Sequence, residues 1–464
     1  MGRGRNVSVT GRVFLAESRK FSVGTPGVHV KKGIVALLVA LALVVIVSPG
    51  IIGKLAEKTV DENINWAADE SQEVMVTSEK FDRGWFSSEG QHRVEFRSGE
   101  LKEAVQDMSG GDAPILIIDT RLDHGLIPVS SMSRKKGSLL PGLGKAMSTV
   151  SIELPDGSTH LLPGTIYSDV GLSGELKSNY VLESGSFQNE GADATWGAAD
   201  ITLTTHPANG RIGVKGKVGS ASLALPDREI TLGSVTFDAE QQPTKYGFAT
   251  GNGTIELASL SVVDASGIEN GVVPLSATFS TDISGGRVDS RSQVSFAGVN
   301  IPGFGEFGLD MDIEVEGLEP VALGALTRRI KSLRNVDGDN EWIYTEAEQE
   351  FKRLLAGGGE VRVRQLNISL PQGVASVTMD ARIKERDKGD FEWTSLLLAL
   401  EGGAQISIPD ELMQFILEMN PQAGAVIGMG YLQKKGDAYE TNIEYKKGLL
   451  TINGAPTPIP LPGR

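Results

Sequence analysis

Leu309-Asp-Met-Asp-Ile-Glu-Val-Glu316 alternates an apolar residue with an acidic one along its whole length. Side chains on a strand project to opposite faces with a period of two, so this stretch specifies a strand with one dry face and one wet face. Upstream of it, short runs rich in β-formers recur between Gly, Asn, Asp, Pro and Ser turns. They fall at Ile115 to Asp119, Val150 to Leu154, Ile201 to Thr205, Ile212 to Val218, Ile230 to Phe237, Thr254 to Val263, Val272 to Ser280 and Gln293 to Ile301. No helical crossover separates them, which predicts antiparallel meander pairing in a curved sheet. A β-rich region is therefore expected over residues 71–317.

Downstream the pattern changes to α+β over residues 318–464. Glu319 to Arg334 places Leu323, Leu326, Ile330 and Leu333 at helical spacing, with Arg328, Arg329, Lys331 and Arg334 near the C-terminal end, where cations are favoured. Thr345-Glu-Ala-Glu348 fits a capping box for a second helix presenting Ala347, Phe351 and Leu355, which Gly357 to Gly359 ends. Strands return at Glu360 to Leu370 and Gly373 to Ile383. A further helix opens at Pro409 and Asp410, and strands at Ala438 to Tyr445 and Leu449 to Asn453 close the chain.

Upstream of the sheet lies a segment suited to hydrocarbon. Gly33 to Val47 contains no polar side chain, and the 21 residues from Gly33 to Gly53 contain no charge. At ~1.5 Å per residue that span is about 31 Å, close to the ~30 Å core of a bilayer. Residues 1–32 carry seven basic side chains against the single acid Glu17. That orients a transmembrane anchor at Lys31 to Gly53 with its N-terminus in the cytoplasm. Ala40-Leu-Ala42, the small-residue pattern nearest to a signal-peptidase site, lies inside the apolar run, so the anchor is read as uncleaved. Residues 1–30 form a basic tail, read also as a start-site artefact with Val28 or Val30 as the alternative start. Residues 54–70 continue as a helical stalk, with Val60, Ile64 and Ala67 on one side.

The whole chain has a formal charge of −15, so its +6 tail leaves −21 on residues 33–464. An acidic ectodomain lacks the basic face that nucleic acid requires. With no cysteine, the fold has neither disulfides nor thiolate chemistry. Glycine is abundant at 57 residues, yet 40% of the chain is hydrophobic, which supports folded, turn-rich layers rather than disorder.

The candidate sites are few. Gly303-Phe-Gly-Glu-Phe-Gly308 matches a dinucleotide fingerprint literally, but its last glycine opens a strand instead of a helix, so it reads as a glycine-bent connection. His29, His92, His124, His160 and His206 show no metal-ligand spacing. Asp119, Asp123 and His124, followed by Gly125, read as a turn-stabilising group. Asp337-Gly-Asp339-Asn340-Glu341 and Arg134-Lys-Lys136 read as solvated loops. Phe81-Asp-Arg-Gly-Trp-Phe-Ser-Ser88 stands out. Trp85 and Phe86 on a strand would point to opposite faces, Gly84 marks a bulge or close approach, and Arg83 suits stacking on an aromatic ring. The contact motif is thus Arg83, Gly84, Trp85, Phe86, His124 and Gly125, read first as a structural corner. No constellation of nucleophile, base and orienting group is visible, so no enzyme, cofactor or metal is expected.

An N-terminal anchor, FDRGWFSS at Phe81 to Ser88, IDTRLDHGLIP at Ile118 to Pro128, and GDAYETNIEYKKGLLTINGAP at Gly436 to Pro456 occur in that order. Together they resemble the YdgA-like bacterial envelope proteins, a family defined by a domain of unknown function. The resemblance covers about residues 31–456, with departures at Leu126, where the family usually has proline, and in the tail before Lys31. It implies a single-pass protein of the bacterial inner membrane whose C-terminal ectodomain is periplasmic, and it carries no catalytic residue. The expected function is a non-enzymatic, membrane-anchored protein that shelters lipid or another apolar ligand on an amphipathic sheet. The alternative is a structural scaffold whose partners are other envelope proteins.

Overall fold

The computed structural model describes residues 74–83, 87–96, 113–124 and 144–458, together with Lys102 and Gln106. Within 144–458 it omits gaps of one to four residues and two longer ones, 335–346 and 386–392. The tail, the apolar segment Lys31 to Gly53, the stalk, and the loops holding Arg134 and Asp337 lie outside the described residues. Among those described, no helix is long and apolar enough to cross a membrane.

All 27 strands belong to one sheet. It begins with β1 (Val74–Arg83), β2 (Ser87–Phe96), β3 (Ile115–His124) and β4 (Gly144–Glu153), which pair in sequence order. β4 then pairs with both β5 (Thr159–Leu161) and β6 (Thr165–Val170), and β6 leads to β7 (Leu176–Leu182).

From β7 onward the long strands are broken in the middle. β7 continues after two residues as β8 (Gly185–Asn189), and β9 (Ala192–Trp196) continues as β10 (Ala199–His206). β11 (Arg211–Val218) continues as β12 (Ala221–Leu225), and β13 (Arg228–Leu232) as β14 (Val235–Pro243). β15 (Ala249–Leu257) continues as β16 (Leu260–Asp264), and β17 (Glu269–Val272) as β18 (Leu275–Ser284).

Each broken strand pairs with its neighbours on both sides of its break. The order β7-β10-β11-β14-β15-β18 forms a main wing, and β8-β9-β12-β13-β16-β17 forms a second wing. Both wings end on β19 (Arg287–Ile301), which pairs antiparallel with β18 and, at Gly271 opposite Val299, parallel with β17. The expected meander is therefore present, with this one parallel contact.

The breaks line up as a crease. Gly197 N donates to the Ser220 carbonyl and Gly219 N to that of Ala198, at 2.7 and 2.8 Å. Gly233 N donates to Ser259 O and Ala258 N to Ser234 O, at 2.7 and 2.9 Å. A Cβ on Gly197 would meet the Gly219 Cα at 2.9 Å, so the backbones approach there as only glycine allows. Three runs read from sequence as single strands, Ile230 to Phe237, Thr254 to Val263 and Val272 to Ser280, cross this crease and are split by it.

The main wing continues through β20 (Gly305–Leu318), β21 (Gly359–Leu370), β22 (Gly373–Ile383) and β23 (Leu400–Pro409). It then takes in β25 (Ala438–Lys446), against which β24 (Gln433–Lys435) packs, and finishes with β26 (Leu449–Ile452) and β27 (Ala455–Thr457). The alternating stretch that opened the analysis is the body of β20.

Helices occupy the strand ends. α1 (Pro320–Arg334) is capped by Glu319, whose carboxylate accepts from Val321 N and Ala322 N at 3.2 and 2.6 Å. α2 (Glu348–Ala356) starts at Glu348 with no side-chain cap on Ala347, and Thr345 of the expected capping box lies outside the described residues. α3 (Trp393–Ala399), unforeseen in the sequence, receives a hydrogen bond from Tyr445 Oη at the Leu397 carbonyl, 2.9 Å. α4 (Asp410–Met419) buries Leu412 and Met413 and packs on β22, β23 and β25.

The main core lies at the beginning of the sheet. Val94, Leu116, Ile118, Ile152, Leu182 and Ile201 are each at most 3% exposed and form one cluster, which Trp196, Val218 and Phe237 extend towards the crease. Ile255, on the same face further along, is 42% exposed. Leu116→Ala is expected to lose about 2–5 kcal/mol, the range for emptying a closed core site, and Ile255→Ala well under half of that. Urea unfolding of both variants measures the contrast.

Candidate functional site

The register carries one face from the first strand to the last. Residues directly opposed across antiparallel strands share a face, so the face can be followed from Ile201 through Gly216, Phe237, Ile255 and Ala277 to Val294. It continues through Met311, Leu366, Val377 and Ile406 to Thr441. Bulges between Asp312 and Ile313, and between Val363 and Leu366, absorb the local shifts without turning the face over. Along β10, β11, β14, β15, β18 to β23, β25 and β26 this face carries no charged side chain among the described residues, whereas Arg228 on β13 and Lys434 on β24 do lie on it. At ~4.8 Å per strand it extends for about 50 Å.

Two sequence devices keep it smooth. At each crease an apolar residue is followed three positions later by the next one on the same side: Trp196 and Ala199, Val218 and Ala221, Leu232 and Val235, Leu257 and Leu260. The small pair between them, Gly-Ala, Gly-Ser, Gly-Ser or Ala-Ser, takes up the odd residue. Elsewhere an aromatic ring lies over the glycine opposite it. A Cβ on Gly185 would meet the Trp196 ring at 2.7 Å, one on Gly216 the Phe237 ring at 2.5 Å, and one on Gly253 the Phe279 ring at 2.3 Å.

The other face is closed electrostatically. Arg93 bonds Glu95 and Glu153, each at 3.0 Å, and Lys215 meets Asp238 at 2.7 Å. Arg291 grips Asp312 in a bidentate pair at 2.9 and 2.6 Å, Arg364 reaches Glu314 at 2.6 Å, and Lys384 reaches Glu401 at 3.2 Å. These cations hold the carboxyls of Asp312, Glu314 and Glu401 below their ordinary range, chiefly through the hydrogen bonds from Arg291, Arg364 and Lys384. A depression of about 520 Å³ opens on this charged side, among Asp282, Asp289, Arg291, Glu314 and Glu316. Its acids, Asp282, Asp289, Glu314 and Glu316, repel anions.

The uncharged face is buried at its start; further along, Leu223, Val288, Tyr439 and Thr441 are buried on it while other side chains stay open. Ile212 (41% exposed), Phe279, Ile283 and Met379 all lie on it with a third or more of their surface in solvent, as does Ile255. Patches of more than a few hundred Å² of exposed apolar surface are rare on monomeric soluble proteins and mark binding faces.

The residues singled out from sequence lie at the buried beginning. Arg83 ends β1 opposite Ser88, and His124 ends β3 opposite Gly144. Since β2 separates the two strands, both strand ends lie at one end of the sheet, about 10 Å apart at ~4.8 Å per strand. Gly84, Trp85, Phe86 and Gly125 lie outside the described residues. Asp119 and Asp123 are residues of β3, and the turn that follows His124 lies outside the described residues. Gln91 Nε2 donates to Asp119 at 2.8 Å, and Asp123 is fully buried with Arg121 at 3.8 Å. Next to it in register, buried Lys145 pairs with Asp169. Gly305 to Leu318 forms β20, as expected of a glycine motif that opens a strand. No group of three metal-ligating side chains occurs among the described residues.

His92 was passed over in the sequence because nothing flanks it at ligand spacing. It is 3% exposed on the uncharged face between Ser78 and Ile118, and its Nδ1 has no hydrogen-bond partner among the described residues. Burial lowers its pKa from 6.5. A folded-state pKa below the unfolded one means that the unfolded chain takes up the proton first. Stability is then complete above about pH 6.5 and falls as pH drops below it. Thermal unfolding between pH 7 and 5 is expected to show this loss in the native protein and a flatter profile in His92→Leu.

A family profile described as "Bacterial protein of unknown function (DUF945)" matches residues 30–460. No curated protein and no solved structure matches the chain.

Proposed function

The chain belongs to this bacterial family of unknown function, DUF945, and on that premise we propose that it is a non-enzymatic, membrane-anchored protein whose open sheet face shelters hydrocarbon chains of lipids. One observation carries the reading. Along the main wing from β10 to β26 the face holds no charge among the described residues apart from Lys434 on the short strand β24, with Arg228 on it in the second wing, while Ile212, Ile255, Phe279, Ile283 and Met379 on it stay more than a third exposed. Sheltering apolar surface of that extent is worth roughly 25 cal/mol per Å² removed from water, and a hydrocarbon chain asks for no polar partner in return. The near-absence of charge suits an acyl chain better than a protein partner, because specific protein interfaces are rimmed by polar and charged contacts.

The anchor Lys31 to Gly53 would hold this face within reach of a membrane, in the topology that its basic flank favours. The YdgA-like resemblance supports the periplasmic side of a bacterial inner membrane as the location. Scaffolding of other envelope proteins is the competing reading, and in-cell crosslinking that recovers a reproducible protein partner but no lipid would favour it.

The test is extraction of the purified protein, exchanged out of detergent, with organic solvent followed by mass spectrometry. Phospholipid is expected at a fixed ratio to protein, and the double variant Ile255→Asp, Phe279→Asp is expected to lose most of it. Because both side chains are already half in solvent, its unfolding midpoint should move by only a few degrees. A lipid-free native protein, or equal lipid on the variant, contradicts the proposal.

A further inference from the structure

β27 is the last strand of the sheet, and among the described residues it pairs only with β26. The approach to it tapers, from nine residues in β25 to four in β26 and three in β27. The two turns are tight. Lys447 and Gly448, and then Asn453 and Gly454, all have positive φ, the type I′ geometry that matches the strand twist.

In the β26–β27 ladder Leu450 opposes Thr457, Thr451 opposes Pro456, and Ile452 opposes Ala455. Opposed residues in an antiparallel ladder alternate between pairs that exchange N–H···O bonds and pairs that do not. Proline has no N–H, so Thr451 and Pro456 form a pair that does not exchange them. The bonded pairs are Leu450–Thr457 and Ile452–Ala455. A residue in a non-bonded pair directs its amide position away from its partner, here towards the free edge. Pro456 therefore stands where an outward donor would be, and Pro458 has the same parity. Pro460 and Pro462 keep the same two-residue spacing in the sequence.

We propose that this alternating-proline segment is a stop that closes the C-terminal edge of the sheet against strand addition by a second copy of the chain. A second copy is the relevant threat because the first strand, β1, is ten residues long and pairs only with β2 among the described residues. Addition of β1 of one copy to β27 of the next is head-to-tail and does not close, so it would propagate as a fibre. Each step would also extend the uncharged face. Removing every outward donor stops the ladder at its first bond. The prolines never fall three apart, so the segment lacks the PxxP spacing of a ligand for polyproline-binding domains.

The experiment uses the full chain in detergent and the variant in which Pro456, Pro458, Pro460 and Pro462 are all replaced by threonine. Sedimentation velocity over a hundredfold concentration range is expected to leave the native sedimentation coefficient constant, while the variant grows into larger species with concentration. An unchanged variant overturns the proposal. The parity argument is tested separately by hydrogen exchange over residues 449–457. Thr457→Pro, which removes an inward donor, should raise exchange there at least tenfold, whereas Pro456→Thr should leave it as in the native chain. Equal effects from the two substitutions also overturn the proposal.

Discussion

Register is the constraint on which this structure depends. Because the side-chain period of a strand is two, a one-residue slip at any pairing would send apolar residues to the charged side and charges to the apolar side. The sheet prevents this on both faces at once. On one, Arg93, Lys215, Arg291, Arg364 and Lys384 each find a carboxylate at a fixed cross-strand position. On the other, a ring such as Phe237 or Phe279 settles over the glycine directly opposite, a fit that a one-residue slip would lose. Each cross-strand pair contributes only about 0.2–1 kcal/mol, but all of them favour the same alignment.

The crease follows from the same constraint. A strand that bends must spend residues in the bend, and an even number spent with simple alternation would move the next apolar side chain to the wrong side. In strand after strand the break consumes two residues between apolar positions three apart, so the local backbone has to rotate, and small residues at those positions permit it. Gly197 against Gly219, and Gly233 against Ala258 and Ser259, lie so close that any larger side chain would push the strands apart. The crease thus divides the sheet into two wings while leaving them one common face, to which Trp196 and Phe237 both contribute.

Much of this was legible in the sequence, and its unread parts have physical reasons. The alternation in β20, the helix from Glu319 to Arg334 and the helix opening at Asp410 are local patterns, and local patterns survive without knowledge of partners. The crease is local too, as apolar–small–small–apolar repeated at Trp196, Val218, Leu232 and Leu257, but within a single strand it looks like an ordinary lapse of alternation. Only the side-by-side placement of the lapses gives them meaning. The burial of His92 and Lys145, and the strand setting of Asp119 and Asp123, depend on neighbours 14 or more residues away in the chain, which no spacing rule reports. α3 is too short to show a helical period.

The division of the sheet into a buried beginning and an open remainder has an energetic consequence. In the beginning, side chains such as Leu116 and Ile152 are removed from water, and each contributes on the order of 1.5–3 kcal/mol. Beyond β11 much of the same face stays partly wet, with Leu223 and Val288 as buried exceptions, no disulfide is available, and ladder hydrogen bonds and exposed ion pairs each contribute about 1 kcal/mol or less. The open part therefore derives its order from continuity with the closed part and from the helices at its strand ends. Anything that covers the open face and binds only the folded chain would supply the missing burial and shift the folding equilibrium by mass action. Occupancy of the face and stability of this half of the sheet are on this argument one linked quantity, so the place where the fold is least self-sufficient is also the place best suited to take up an apolar ligand.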